Sequence, residues 1–293
     1  ALVLLNEGRG LDSGEQHKTS TVRKLDCPLD LEADDETLTK QVIKYYHERL
    51  LASDGAKARD FLAKRGLDHH DMIKTFRLGY ADRTLGLRLP HKNRRAGAAI
   101  RERLTKLGFY RESGHEHLNG SLIVPVFDAT GRVGEVYGRK ITGKLRSGTP
   151  DHLYLPGPHR GIFNLEAFGN RELILCESLI DALTFFQHGM ESVTTIFGTE
   201  GFTDELFEAI KHHQIESIRI AYDADDAGER AAERDVTRLT SLGIECHRIR
   251  FPWGEDANSF AKNHGADALR RAVRQAEWLG AGPKPAAAAA VSS

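Results

Sequence analysis

The sequence predicts an α/β protein in two parts, a basic α+β lobe followed by a mostly parallel sheet with helices on both faces. Three observations predict it. From Arg171 onward, short apolar runs alternate with stretches of helical period, the pattern of a parallel sheet covered on both sides. Before that come helical-period stretches and then two apolar runs around a glycine-bearing turn, a hairpin signal. Charge divides the same way: Lys+Arg minus Asp+Glu is +12 over residues 37–165 and −8 over 166–293, within a total of −1. Such a pairing suits a chain that grips a polyanion on one lobe and collects cations on the other.

Residues 1–36 are acidic and rich in turn formers and read as a linker, with Ala1–Asn6 as the end of a preceding helix. The basic lobe, 37–165, opens with Leu38, Val42, Tyr45, Tyr46 and Leu50 at helical spacing. Asp54–Arg65 reads as a second helix stopped by Gly66, and Asp68–Phe76 as a third with Asp68 as its cap. Leu78-Gly79-Tyr80 breaks the period, and Gly97–Leu107 is a further helix closed by Gly108. Leu122–Phe127 and Val133–Arg139 then form the hairpin, with Pro125 marking an edge strand or a bulge. A loop carrying Arg139, Lys140, Lys144 and Arg146 follows, then His152, Tyr154, His159 and Arg160. A basic loop with interleaved aromatics can track a phosphate backbone.

In the second lobe, 166–280, strands are expected at Leu173–Cys176, Ser192–Phe197, Ser217–Tyr222 and Glu245–Ile249. Helices are expected at Leu179–His188, Thr203–His213, Asp226–Leu242, Asp256–Asn263 and Ala266–Leu279. The tail, 281–293, reads as a flexible linker with Pro-Lys-Pro and five alanines. No apolar run approaches the roughly 20 residues that span a membrane, so the expected setting is the cytoplasm. Cys27, Cys176 and Cys246 are scattered without a Cys-x-x-Cys, which gives neither a zinc site nor a disulfide framework.

The chemistry gathers where strands end. Ile218–Tyr222 runs into Asp223-Ala224-Asp225, and carboxylates two apart on a strand point to one side. Hard oxygens at this spacing suit Mg²⁺ or Mn²⁺; the plainer use of such a turn is helix capping, here by Asp226. Glu177 leaves the end of its own strand, Asp181 lies one helical turn further, and Asp256 and Asn258 follow the last parallel strand. In an open α/β sheet these ends share one rim. Glu177, Asp181, Asp223, Asp225 and Asp256 can therefore converge, and their repulsion is relieved most simply by divalent cations. Asn258 would add a neutral oxygen to that rim and leave the cation held by less charge.

These residues resemble a known family. Glu177 with Asp181 four residues on, then Tyr222-Asp223-Ala224-Asp225-Asp226-Ala227-Gly228 and Gly254-Glu255-Asp256-Ala257-Asn258, is similar to the Toprim domain of DnaG-type bacterial primases. Gly198-Thr199 matches after the second strand. Upstream, Tyr45-Tyr46-His47, Phe61-Leu62-Ala63-Lys64-Arg65-Gly66-Leu67, Phe76-Arg77-Leu78-Gly79-Tyr80 and the Pro125 hairpin resemble the basic lobe of the same primases, over roughly residues 38–278. Ser178 and Asn258 replace a usual glycine and aspartate. His117, Asn119 and Ser121 stand where the family has arginines, and His152 where it has a lysine. The wording Leu153–Pro158 is closer to primase-like proteins of plasmids and mobile elements.

The resemblance implies a DNA primase catalytic core, which makes short RNA primers on single-stranded DNA from NTPs by divalent-metal-dependent nucleotidyl transfer. Glu177, Asp223 and Asp225 would be catalytic. Glu177, Asp181, Asp223, Asp225 and Asp256 would serve Mg²⁺ or Mn²⁺, and Arg139, Lys144, Arg146, His152 and Arg160 would hold template or nucleotide. A replicative helicase is an expected partner. A metal-dependent nuclease using the same acids, or a non-catalytic recruitment module, are the alternatives, since fold does not fix function.

Overall fold

The computed structural model describes residues 25–143, 145 and 147–280. Lys144, Arg146, most of the expected linker and the tail lie outside the described residues. In the first lobe, α1 (Asp35–Leu51) starts where the Asp34 side chain accepts from the Thr37 N–H, and it buries Leu38, Val42, Tyr46 and Leu50, an apolar stripe at four-residue spacing. Next come α2 (Ala56–Lys64) and α3 (His70–Thr75). Asp68 is not the cap of α3: the helix begins one residue later than that would need, with His69 at the N-cap and no side-chain bond.

Leu78-Gly79-Tyr80, where the helical period fails, supplies β1 (Gly79–Ala81), and α4 (Leu85–Arg88) and α5 (Arg95–Lys106) follow. Strands β2 (Ser121–Phe127), β3 (Val133–Lys140) and β4 (His152–Tyr154) complete an antiparallel sheet of order β1-β2-β3-β4. Pro125 is thus not on an edge strand. It sits past the end of β1, which pairs only with residues 121–123, and just before a register shift at Val126/Phe127, so its missing N–H breaks little of the ladder.

The second lobe is the expected alternation: β5 (Glu172–Cys176), α6 (Leu179–Gln187), β6 (Val193–Thr195), α7 (Asp204–His212), β7 (Ser217–Ala221), α8 (Asp226–Thr240), β8 (Glu245–Arg248), α9 (Ala257–His264), α10 (Ala266–Arg274) and β9 (Glu277–Gly280). Its sheet runs β6-β5-β7-β8-β9, parallel except for β9. The chain leaves β5 toward β6 on one side and then toward β7 on the other, which makes the carboxyl ends of β5 and β7 the switch point where such sheets bind ligands. The helix expected to reach Leu279 stops at Arg274. Residues 277–280 instead pair antiparallel with β8 and cover its free edge.

Strand alternation partitions the core. Ile123 and Val136 face α1 and α5, while Leu122, Val124 and Tyr137 face the other way, into an apolar cluster continuous with Cys176, Leu179, Leu183 and Ala221 of the second lobe. Phe76 stacks on Phe163 at 4.6 Å between ring centres and meets Phe186 edge-on at 4.7 Å, so both lobes and the segment between them share one aromatic contact. Among the described residues no helix is long and apolar enough to cross a membrane.

Candidate catalytic site

The sheet order brings the strand ends together. Glu177 follows β5 and Asp223 follows β7, two strands in direct register from Glu172/Ser217 to Cys176/Ala221. The Asp223 N–H donates to Glu177 Oε2 at 3.3 Å. Asp225 is the N-cap of α8: its Oδ1 accepts from Gly228 N at 2.8 Å. The capping role read for Asp226 therefore belongs to Asp225, because the chain is still extended there (φ −141°). Gly228 is required at this turn: a Cβ would lie 2.3 Å from the Asp223 carbonyl oxygen, so a side chain would push the helix off the strand end.

Asp256 opens α9 through a capping box with Ser259, with Asp256 Oδ1 accepting from Ser259 N at 2.6 Å. Asp181 is 1% exposed, and both its oxygens are taken, Oδ2 by the Ser178 hydroxyl at 2.6 Å and Oδ1 by the Asn258 N–H at 3.1 Å. Ser178, which replaces the glycine of the resembling motif, is itself the N-cap of α6, so the departure adds a cap and a hydrogen bond to Asp181.

These acids act on one another. Burial, then Glu177, Asp256 and Asp225, pushes the Asp223 carboxyl up to about 7. Burial is also the first cause of the raised Glu177, followed by Asp225 and Asp256 as like charges, while the Asp223 N–H and Arg248 oppose it. Asp181 is raised well above the carboxylate range by burial and by Asp256 and Asp223. Asp223 Oδ1 is buried with no partner. Among the described residues no three acids, histidines or cysteines are drawn together tightly enough to grip an ion as they stand. The donor set still fits a hard divalent cation, because the orphaned Asp223 oxygen and the carboxylate oxygens the caps leave over are hard donors crowded by like charge.

Two arginines escaped the sequence reading. Arg248, the last residue of β8, is 1% exposed beneath this cluster. Its guanidinium donates to the carbonyls of Tyr222 at 2.9 Å and Asp223 at 3.2 Å, and pairs with Glu229 Oε1 at 2.7 Å. Arg65, at the end of α2, comes from the other lobe. Burial and then Arg139 lower its pKa, while Asp256 and Asp181 raise it. Only its place in the Phe61–Leu67 motif signalled it.

Arg139 lies on the same side as Arg65. It contacts His152, whose ring also bonds the Tyr137 hydroxyl at 2.7 Å. Partial desolvation of the ring, then Arg139, holds the His152 imidazole down at about 4, with Asp256 acting in the opposite direction. Arg139, which also pairs with Asp151 at 3.7 Å, and Arg65 thus form one basic wall near Asp256, with the neutral His152 ring set against Arg139. Arg160 is exposed and makes no hydrogen bond or ion pair among the described residues. Lys144 and Arg146 lie outside the described residues.

Asn258 is not an oxygen on the rim. It is 3% exposed; its Nδ2 donates to the Arg65 carbonyl and to Thr184 Oγ1, both at 2.9 Å, and its Oδ1 accepts from Arg65 Nη1 at 3.0 Å. It ties the two lobes together. The Asn258→Asp variant removes both side-chain donations and buries a second carboxyl beside Asp181, offset in part by Arg65. The expected loss is about 2–3 kcal/mol, read as a lower thermal midpoint. No gain in metal affinity is expected in a parallel titration; a tighter metal midpoint at unchanged stability would return Asn258 to the rim.

Comparison with known proteins agrees with this geometry. Residues 45–166 match the family described as DNA primase catalytic core, N-terminal domain, and residues 174–261 match Toprim-like. DNA primase of Aquifex aeolicus is 26% identical over 246 residues, covering 82% of this chain and 48% of that protein; DNA primase of Synechococcus elongatus is 24% identical over 259 residues, covering 80% and 36%. The chain therefore spans less than half the length of these relatives. Among solved structures, the zinc-binding and RNA polymerase domains of the Aquifex aeolicus primase superpose with a TM-score of 0.68 at 23% identity, over 86% of this chain and 64% of that one. A DnaG primase catalytic domain bound to ssDNA gives 0.68 at 24%, over 83% and 81%. The Escherichia coli primase catalytic core gives 0.65 at 25%, over 81% and 79%. With both halves matched in order and more than four fifths of the chain superposing, the chain has the two-part organisation and the fold of the DnaG-type primase catalytic cores that carry a Toprim domain.

Proposed function

We propose that this chain is the catalytic core of a DNA primase, joining ribonucleotides on a single-stranded DNA template. The observation that carries the reading is the crowd of strand-end carboxylates, with Asp223 Oδ1 buried and unpartnered, near the basic wall of Arg65 and Arg139. In this reading lobe 166–280 holds the cations and lobe 37–165 holds the template. Asp223, Asp225 and Glu177 present the oxygens that would hold divalent cations, Mg²⁺ or Mn²⁺. Those ions, when bound, would lower the pKa of the primer 3′-hydroxyl and neutralise the leaving pyrophosphate.

The chain's own residues do the rest. Asp256 and Asp181 set the position of α9 and α6 behind the acids, through the bonds to Ser259 and Asn258. Arg65 and Arg139 would take up phosphate charge, of template or of triphosphate, and His152, held neutral, orients Arg139. Arg160, Lys144 and Arg146 extend the basic surface available to a template. A setting in the cytoplasm and contact with a replicative helicase belong to this reading as expectations.

One assay tests it. Labelled NTPs, single-stranded DNA and Mg²⁺ or Mn²⁺ are expected to yield short, template-dependent RNA. Shortened DNA instead would make the site a nuclease, and neither product would leave a binding module.

A further inference from the structure

The loop that carries the chain from β8 to α9 sets an aromatic side chain in water beside the acids. Trp253 is 70% exposed, while Phe251, two residues earlier, is buried. Leu25, Leu51, Leu87 and Leu242 are the other large apolar side chains exposed among the described residues. None of them follows a strand end of the second sheet, and Leu242 lies past the far end of α8 from Asp225. Single exposed apolar residues are common on protein surfaces and need no role. What sets Trp253 apart is how it is held.

Residues 252–255 make a tight turn. The Glu255 N–H donates to the Pro252 carbonyl at 3.0 Å, which puts Trp253 and Gly254 at the two corners. Gly254 has φ 83°, the left-handed second corner of a type II turn, where glycine is favoured. The turn is tied in turn to an acid-bearing strand end. The Gly254 N–H donates to the Ala224 carbonyl at 2.7 Å, and the Ala224 N–H to the Glu255 carbonyl at 3.0 Å. Ala224 lies between Asp223 and Asp225, and Asp256 follows the turn directly as the cap of α9. Trp253 therefore rides on a braced backbone next to Asp223, Asp225 and Asp256. Among the described residues its ring makes no aromatic or cation–π contact and its indole N–H no hydrogen bond, so most of the indole is open to a partner.

The surrounding chemistry selects that partner. An apolar protein surface seated on the indole would also cover Glu255, Asp256 and Asp225, and burying unpaired carboxylates is costly. A nucleotide meets no such conflict. Its phosphates go to the cations that the acids would collect, and its base is a flat aromatic group that stacks on an indole whichever base it is. We infer, resting on the function proposed above, that Trp253 is a base-stacking surface at the rim of the acid site, taking a nucleobase carried by a free nucleotide or by a single strand. The turn holds the indole in place before the ligand arrives, so little order has to be created on binding.

Trp253 and Trp278 are the two tryptophans of the chain, so their emission reports on the site. The whole chain in Mg²⁺ is titrated with oligo(dT), an abasic strand of equal length, ATP and inorganic tripolyphosphate. Wild type, Trp253→Leu and Trp253→Phe are compared. Base-bearing probes are expected to quench the wild type. The leucine variant loses that quench and binds them about tenfold more weakly, phenylalanine restores most of the affinity, and base-free probes bind all three proteins alike. A shift for ATP marks a free nucleotide as the source of the base, and a shift for oligo(dT) marks the strand. Equal affinity of the three proteins for every probe overturns the proposal and is the result expected if the indole seats a protein instead. An equal shift for base-free and base-bearing probes overturns it too. All three proteins should melt alike, because the side chain is exposed. If a variant melts early, the wild type decides alone: equal effects of base-bearing and base-free probes on its emission reject stacking. Primer synthesis is measured separately. Shortened DNA in place of RNA overturns the primase reading and leaves the quench intact, whereas RNA made by a wild type whose affinities Trp253→Leu shares overturns the stacking alone.

Discussion

Asp223→Asn is expected to reduce divalent-dependent primer synthesis by about a thousandfold or more, because cation-assisted stabilisation of a transferring phosphoryl group is worth several kcal/mol. Folding should survive. In the wild type the Asp223 carboxyl is buried beside Glu177, Asp256 and Asp225 with one oxygen unpartnered, so removing its charge relieves repulsion. The metal-free variant should melt at or above the wild-type midpoint. Wild type should gain thermal stability as Mg²⁺ or Mn²⁺ is added, by mass action on the folded state, and the variant should lose most of that gain. Asp225→Ala is a less clean probe, since it also deletes the cap of α8 and costs about 1 kcal/mol of stability by that route. Synthesis within tenfold of wild type in Asp223→Asn, at equal stability, would remove this residue from the chemistry.

Arg248→Met is expected to give the largest loss of stability, about 3–5 kcal/mol, or roughly 10 °C in the thermal midpoint for a chain of this size. The arginine is enclosed beneath the strand ends, and its removal strands the Tyr222 and Asp223 carbonyls it serves and half of the Glu229 carboxylate. The neighbouring Arg250 also pairs with Glu229, but its side chain is 51% exposed. Arg250→Ala should therefore shift stability by no more than about 0.5 kcal/mol. Circular dichroism melts of the two variants make the comparison, and equal losses would mean that burial is not what gives Arg248 its weight.

The sequence was most readable where one local rule sufficed. The strand ends carrying Glu177 and Asp223 follow from short apolar runs, and the alternation of β5 to β8 with α6 to α9 follows from period and turn residues alone. The misreadings came where a partner distant in sequence decides. Residues 275–279 continue a helical pattern, yet Trp278 and Glu277 pair with His247 and Arg248, because the free edge of β8 offers a ladder that a longer helix does not. Arg248 read as one more polar residue in an alternating strand, since its partner Glu229 lies 19 residues away. Asn258 stood in a motif position that points elsewhere to a charged ligand, and nothing local told that its amide is taken by Arg65, 193 residues away.

The aromatic contact of Phe76, Phe163 and Phe186 and the Asn258–Arg65 bonds have a mechanical consequence. The acids and the basic wall stand on two sheets joined by a shared apolar core and by a buried amide, so the gap between them is a gauge of set width rather than a jaw. On the proposed function, a phosphate-bearing ligand entering it would find the opposing charges already spaced, and little of its binding energy would go into moving protein. Selection by this cleft then rests on whether a ligand's phosphates match that spacing on arrival.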